Sequence, residues 1–442
     1  MSKKNITIVR LSFAVALVTF LSAAAVMATP AAPVVTVYSQ GVACVVESTT
    51  LSLTAGINDI ELPVPAGLIP ESVLLTTDGT VLSKSFNYTS ADSIGSSAIG
   101  KQVEIVTADG LYRGVLLVAG TDAVTIRDNA GAIRTIVRPE QIVLPNDQVS
   151  SLAPTLTVKI QSDHAGDVPA ELSYLTRNVN WTGTYVGILN GDQTTMSLLG
   201  QITLTNNSGY DFKGATVRFI AGDVNQTSTS QYMMRAAPMA ALEAADASVQ
   251  GAFEYHLYTL PGTLDLVNGN SLIVPYVAAN GISIGKTYVY DGASSPGVQV
   301  HLSFADSKDN ALGMPLPAGT VRMFGDVDGA RLFLGDDAID HTASDETVTL
   351  SLGSAFDIVG ERTQVSREKI GTSTYRESYL ITLRNHKDSA VKVDVLEHLS
   401  GTWNVTTSSS AFETVDANTI RFVANVPAGG KSEVSYTVEY KY

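Results

Sequence analysis

Ile202-Thr203-Leu204-Thr205-Asn206-Asn207-Ser208-Gly209, followed by Thr216-Val217-Arg218-Phe219-Ile220-Ala221, decides the fold class. Ile202 and Leu204 alternate with Thr203 and Thr205; Val217, Phe219 and Ala221 alternate with Thr216, Arg218 and Ile220. A period of two is that of a half-buried strand. Asn-Asn-Ser-Gly offers residues that turn a chain at little steric cost. Just upstream, Trp181 and Tyr185 stand four apart, on one face of a strand. Residues 172–222 are therefore expected to form consecutive antiparallel strands with an aromatic sandwich core, not an active site.

The same alternation extends both ways. Residues 34–97 read as an N-terminal β domain broken at Pro63-Val64-Pro65-Ala66-Gly67, because proline cannot donate to a ladder. Residues 100–145 hold five short strand candidates, at 102–106, 112–118, 123–128, 133–137 and 141–143. Gly100-Lys101-x-Val103, Asp109-Gly110 and Tyr112-x-Gly114-x-Leu116 resemble an SH3-like or Sm-like small barrel. A central β-sandwich region is expected over 152–368, interrupted at 226–250 by a Ser-, Thr-, Ala- and Met-rich segment that reads as a mobile insertion. In 369–442, Tyr379, Ile381 and Leu383 alternate, Val391, Val393 and Val395 return, and Ile420 and Phe422 match Val434, Tyr436 and Val438. That pattern matches an immunoglobulin-like β-sandwich. The fold class is all-β, with several sandwiches and an inserted small barrel.

Composition bounds the setting. The 442 residues are 45% hydrophobic and 16% charged, so polar surface must come from Thr, Ser, Asn and Gly more than from ions. Lys3, Lys4 and Arg10 precede a charge-free apolar run from 11 to 27, and Val26 and Ala28 place small residues for cleavage after Ala28. Residues 1–28 are expected to be a signal peptide; the rival is a retained anchor near the lower limit of a membrane span. Removing three basic residues and no acidic ones takes the net charge from −15 to −18. Such a surface repels nucleic acid and anionic membranes. The single cysteine, Cys44, excludes an intrachain disulfide and reads as a buried thiol in a strand. Export without disulfides points to a prokaryotic surface or periplasm.

Chemistry is sparse. No strand-to-helix nucleophile elbow is read, and there is no His-Glu-x-x-His and no cysteine pair. Asp336, Asp337, Asp340 and His341, with Asp326 and Asp328 nearby, offer hard oxygen ligands and an imidazole for a structural cation such as calcium. They do not make an EF-hand, because Ala330 stands where a third ligand belongs. Otherwise no cofactor is expected. Arg113, Arg127, Arg134 and Arg138 make residues 100–145 locally basic; Arg113 and Arg134 are candidate contacts for a ligand or wall polymer, as are His256 and Tyr258. Glu361, Arg362, Arg367, Glu368 and Lys369 read as an exposed connection. Asn87, Asn180, Asn206, Asn225 and Asn404 stand in Asn-x-Ser/Thr sequons, candidates for N-glycosylation.

Four segments carry a resemblance: 221–225 (Ala-Gly-Asp-Val-Asn), 253–261 (Phe-Glu-Tyr-His-Leu-Tyr-Thr-Leu-Pro), 312–322 (Leu-Gly-Met-Pro-Leu-Pro-Ala-Gly-Thr-Val-Arg) and 353–358 (Gly-Ser-Ala-Phe-Asp-Ile). Over about 172–440 the chain resembles an uncharacterised prokaryotic family of the domain-of-unknown-function-4139 type, which includes mucoidy-inhibitor-like proteins. The resemblance implies architecture and an envelope location, with no established activity or catalytic residues. Many relatives carry a coiled coil after an N-terminal β domain; here no heptad pattern occupies that position. Residues and resemblance together point to a non-enzymatic surface or periplasmic protein that assembles with envelope proteins, wall polymer or itself. A carbohydrate- or peptide-binding module is the alternative, with Trp181, Tyr258, Tyr290 or Trp403 as its aromatic surface. An envelope hydrolase is third and requires paired carboxylates meeting in a cleft.

Overall fold

The structure is a computed structural model that describes residues 32–88, 98–120, 122–144, 153–222, 248–252 and 255–441. The signal segment expected at 1–28 and Asn225 lie outside the described residues. Among those described there is no α-helix, only 3-10 turns at Pro70–Ser72 and Lys308–Asn310. The fold is all-β, built of several sheets.

Five strands open the chain: β1 (Val34–Tyr38), β2 (Val42–Leu53), β3 (Gly56–Pro63), β4 (Leu74–Thr77) and β5 (Thr80–Asn87). Then β6 (Gln102–Thr107), β7 (Gly110–Ala119), β8 (Ala123–Asp128), β9 (Ile133–Val137) and β10 (Gln141–Val143) make an antiparallel sheet of their own, ordered β10-β6-β7-β8-β9. Its small core includes Val103, Ile105, Leu116, Val124 and Ile126, the inward half of each alternation.

The decisive stretch becomes β12 (Gly166–Arg177), β13 (Val179–Leu189), β14 (Thr195–Asn206) and β15 (Phe212–Ala221), after β11 (Thr155–Ser162). Its strands are where the alternation puts them, but they are not successive neighbours. Only β13 and β14 pair with each other. β12 lies between β2 and β4, and β15 runs parallel to β1. The Asn206–Gly209 turn thus crosses from one sheet to another. Alternation fixes which face of a strand is buried; it does not choose the neighbour. The expected aromatic core is present: Trp181, Tyr185, Phe219 and Tyr258 are all buried, with Phe219 and Tyr258 stacked 4.6 Å apart.

The division into 34–97 and 152–368 does not survive the pairing. β1, β2 and β4 share a sheet with β12 and β15, and β3 and β5 flank β11. One hydrophobic core runs from Val35 to Leu350. Apolar faces that looked self-sufficient along the chain are covered by strands more than a hundred residues away. Next come β16 (Ser248–Ala252), β17 (Tyr255–Thr259), β18 (Leu264–Leu266) and β19 (Asn270–Ser283). Of the insertion expected at 226–250, residues 226–247 lie outside the described residues, and 248–250 already belong to β16.

The remaining strands are β20 (Gly285–Tyr290), β21 (Gly297–Ala305), β22 (Gly319–Val327), β23 (Ala330–Ile339), β24 (Thr347–Lys369), β25 (Thr374–Asn385), β26 (Val391–His398), β27 (Thr402–Ser408), β28 (Phe412–Asp416), β29 (Thr419–Val426) and β30 (Lys431–Lys441). β22 and β23 extend the β19-β14-β13 sheet, whereas β20, β21 and β24–β30 form a nine-stranded sheet. The boundary drawn at 368/369 therefore moves. β24 crosses it as one strand, pairing first with β21 and then with β25. Residues 361–369 are strand, not a connection. Mixed charges misled there because one side chain, Arg362, turns inward to a buried carboxylate.

Candidate functional site

The acidic residues of the β22–β23 hairpin do not converge. In the ladder Asp326 faces Arg331 and Arg322 faces Asp336, so the two aspartates are separated by four residue steps, about 13 Å of strand. Three of the carboxylates have local work. Asp326 pairs with Arg331 at 3.3 Å, and Asp336 lies 3.9 Å from Arg322. Asp337 accepts the Ala338 and Ser351 amides at 2.9 and 2.7 Å. Asp328 occupies the tip in the left-handed region, φ 50°. Asp340 accepts the Thr342 hydroxyl through its carbonyl, and His341 Nδ1 accepts the Ala318 amide at 3.0 Å. Among the described residues no three His, Cys, Asp or Glu side chains come together as ligands for an ion.

The basic character of the small sheet is partly neutralised. Arg113 bonds Glu104 at 2.6 Å and Arg134 bonds Asp128 at 2.7 Å. The Arg134 hydrogen bond, backed by the Ala132 amide, holds the Asp128 carboxyl below its ordinary pKa. His256 is exposed on β17, but Tyr258 two residues on is fully buried and its hydroxyl donates to Pro315 O at 2.7 Å. Tyr258 is therefore a core residue and not a ligand contact. Trp181 and Tyr290 are buried as well, and Trp403 is half-buried with its indole N–H on Ala417 O. Those aromatics form no concave platform.

The sequons divide. Asn87 and Asn404 are exposed. Asn180 is partly buried, with its Oδ1 shut off and unpartnered. Asn206 is 1% exposed. Its Nδ2 donates to Tyr210 O and Leu266 O at 2.7 and 2.8 Å, and its Oδ1 accepts from the Ser208 amide and hydroxyl. It is a structural residue, since both hydrogens of its amide nitrogen are already committed.

Buried titratable groups gather in two places that the sequence did not reveal. In the nine-stranded sheet, Glu397 takes Arg362 and the Tyr436 hydroxyl, while Glu377 takes Arg367 and the Tyr379 hydroxyl. Every charge there has an opposite partner. Such a network organises a core and leaves no idle acid or base. In the other core, Glu47 on β2 sits beside the buried Tyr174 side chain. Burial pushes the Glu47 carboxyl up to about 7, against a lowering contribution from Tyr174.

The most unusual surface is apolar. β23 is the last strand of its sheet, and all five residues 330–334 are exposed. Both faces of the hairpin end thus meet solvent, and they carry Leu332, Phe333 (57% exposed) and Leu334. Phe356, on β24, is 95% exposed. A run of three apolar residues breaks strict alternation, and that was the available signal.

No curated protein matches the chain. Residues 170–442 match the family described as Domain of unknown function (DUF4139), more than half of the chain. This chain belongs to the DUF4139 family.

Proposed function

We propose that this chain is an exported, non-enzymatic interaction protein of a prokaryotic envelope. It engages an extended polypeptide segment, of an envelope protein or a second copy, at the end of the β22–β23 hairpin. The observation that carries this is the edge strand with Leu332, Phe333 and Leu334 exposed on both faces. An added strand would take its main-chain hydrogen bonds from such an edge and its affinity from the apolar side chains. The basic, then apolar N-terminus supports export with cleavage after Ala28. The net acidic charge disfavours nucleic acid. Exposed Asn87 and Asn404 would carry any glycans. The strand order β10-β6-β7-β8-β9 supports an SH3-like or Sm-like small barrel, and the two-sided core around Ile381, Val393 and Phe422 supports an immunoglobulin-like terminal sandwich. The kinship with mucoidy-inhibitor-like proteins is part of the same proposal.

Photo-cross-linking tests it. A photoreactive residue at position 333 of the exported chain should give discrete protein adducts in its native envelope, and one at the exposed Glu413 should not. Equal adduct patterns from both positions, or none from 333, would sink the proposal.

A further inference from the structure

The geometry points to a binding site for a neutral saccharide at the loop end of the larger core, separate from the hairpin and independent of its role. There a depression of about 430 Å³ is lined by Tyr88, Asn178, Asn207, Ser208, Asn268 and glycine backbone. That volume lies within the range of small-ligand sites.

Four connections from different sheets build it, and they are bolted together. The Gly67 amide donates to Ser208 O at 3.1 Å, and the Arg177 amide to Gly67 O at 2.8 Å. The Asn207 amide reaches Asn178 O at 2.7 Å, and the Gly269 amide reaches Asn206 O at 2.7 Å. The Gly209 amide donates to Asn268 Oδ1 at 2.8 Å. Beneath them, buried Asn206 ties the turn after β14 to Leu266. A floor held this way is already organised before a ligand arrives.

Backbone conformation brings main chain to the surface. Asn178, Gly209 and Gly269 have φ of 65°, 83° and 79°. A Cβ at Gly209 would meet Ala66 Cβ at 2.9 Å, so this wall depends on glycine.

The chemistry selects the ligand. None of the lining residues is charged, so an anion or a cation would lose its hydration without a counter-charge. Asn178 and Asn207 are exposed, and their side-chain amides are not used by the fold among the described residues. Each amide is donor and acceptor at once, the complement of adjacent hydroxyls, which also donate and accept. Tyr88, 43% exposed, adds an apolar ring with a polar tip to the lining. Neutral amides beside one exposed aromatic ring suit a sugar, which is apolar on its ring faces and polar around its rim.

Saturation-transfer NMR on the processed chain, with cellobiose, maltose and chitobiose at millimolar concentration, tests this. At least one should bind. Asn207→Ala and Asn178→Gly, the latter keeping the left-handed conformation, should each weaken it about fivefold; Tyr88→Ala should weaken it too. All three variants should melt as the wild type does. Absence of binding by all three sugars would overturn the assignment, as would binding indifferent to all three substitutions. Inorganic phosphate binding in an Asn207-dependent way would overturn it as well.

Discussion

Arg362 on β24 and Glu397 on β26 meet inside the nine-stranded sheet, the guanidinium Nε lying 3.0 and 2.9 Å from the two carboxylate oxygens. Glu397 is 1% exposed, and Arg362 also lies 4.0 Å over the Tyr379 ring. Removing the cation strands a buried charge, which costs about 3–5 kcal/mol. Arg362→Ala should therefore lower unfolding stability by that order in a urea titration. Replacing both residues, as Arg362→Met with Glu397→Leu, should recover most of it. A single substitution costing less than about 1 kcal/mol would show that Glu397 reaches water.

Glu47 should make stability depend on pH. Its folded pKa of about 7 lies above the ordinary 4.5 because burial penalises the charge. The contribution is then fully present below 4.5 and is lost as pH rises through 7. The shift corresponds to about 3 kcal/mol at most. Glu47→Gln should remove this part of the slope, leaving stability flatter between pH 5 and pH 8 on the order of that amount. Unfolding midpoints measured across that interval in wild type and variant decide it; superimposable slopes would assign the titration elsewhere.

Asn206→Ala should destabilise the chain by about 3 kcal/mol, because Tyr210 O, Leu266 O and the Ser208 amide lose partners together. Peptide mapping of protein from its native source should place any glycan at Asn87 or Asn404 and leave Asn206 bare. Sugar found on Asn206 would mean that the turn forms differently.

Phe356→Ser should leave stability within about 0.5 kcal/mol of wild type, since the ring is almost wholly exposed. Its retention on a hydrophobic matrix should fall. A large loss of stability would mean that the ring is covered in the folded chain.

Much of the strand inventory was legible, because one face of most strands is buried and alternation reports that directly. The strands of the small sheet at 123–128, 133–137 and 141–143 agree with prediction residue for residue. Pairing was not legible. Nothing local in Val34–Tyr38 says that its neighbour is Thr216 to Ile220, since β-branched residues fit any half-buried edge. Tyr258 misled for a related reason: a tyrosine two residues from an exposed histidine looks accessible until the neighbouring strand supplies Phe219 and a distant connection supplies Pro315. The acidic hairpin misled because spacing along two strands says little about separation across them. The loop-end depression was invisible, as its asparagines come from connections far apart in the chain.

The parallel pairing of β1 with β15 ties the matched span to strands outside it. The family span begins at residue 170, inside β12, yet β12 hydrogen-bonds to β2 and β4, and β15 to β1, all outside that span. A chain begun at residue 170 would carry three bare backbone edges where neighbours belong, two on β12 and one on β15, and a core missing Val35, Val37, Ala43 and Val45. Those edges would seek other chains. The matched span is thus narrower than the part of this chain that folds together. In this chain β1, β2 and β4 supply the sheet neighbours that the matched span lacks.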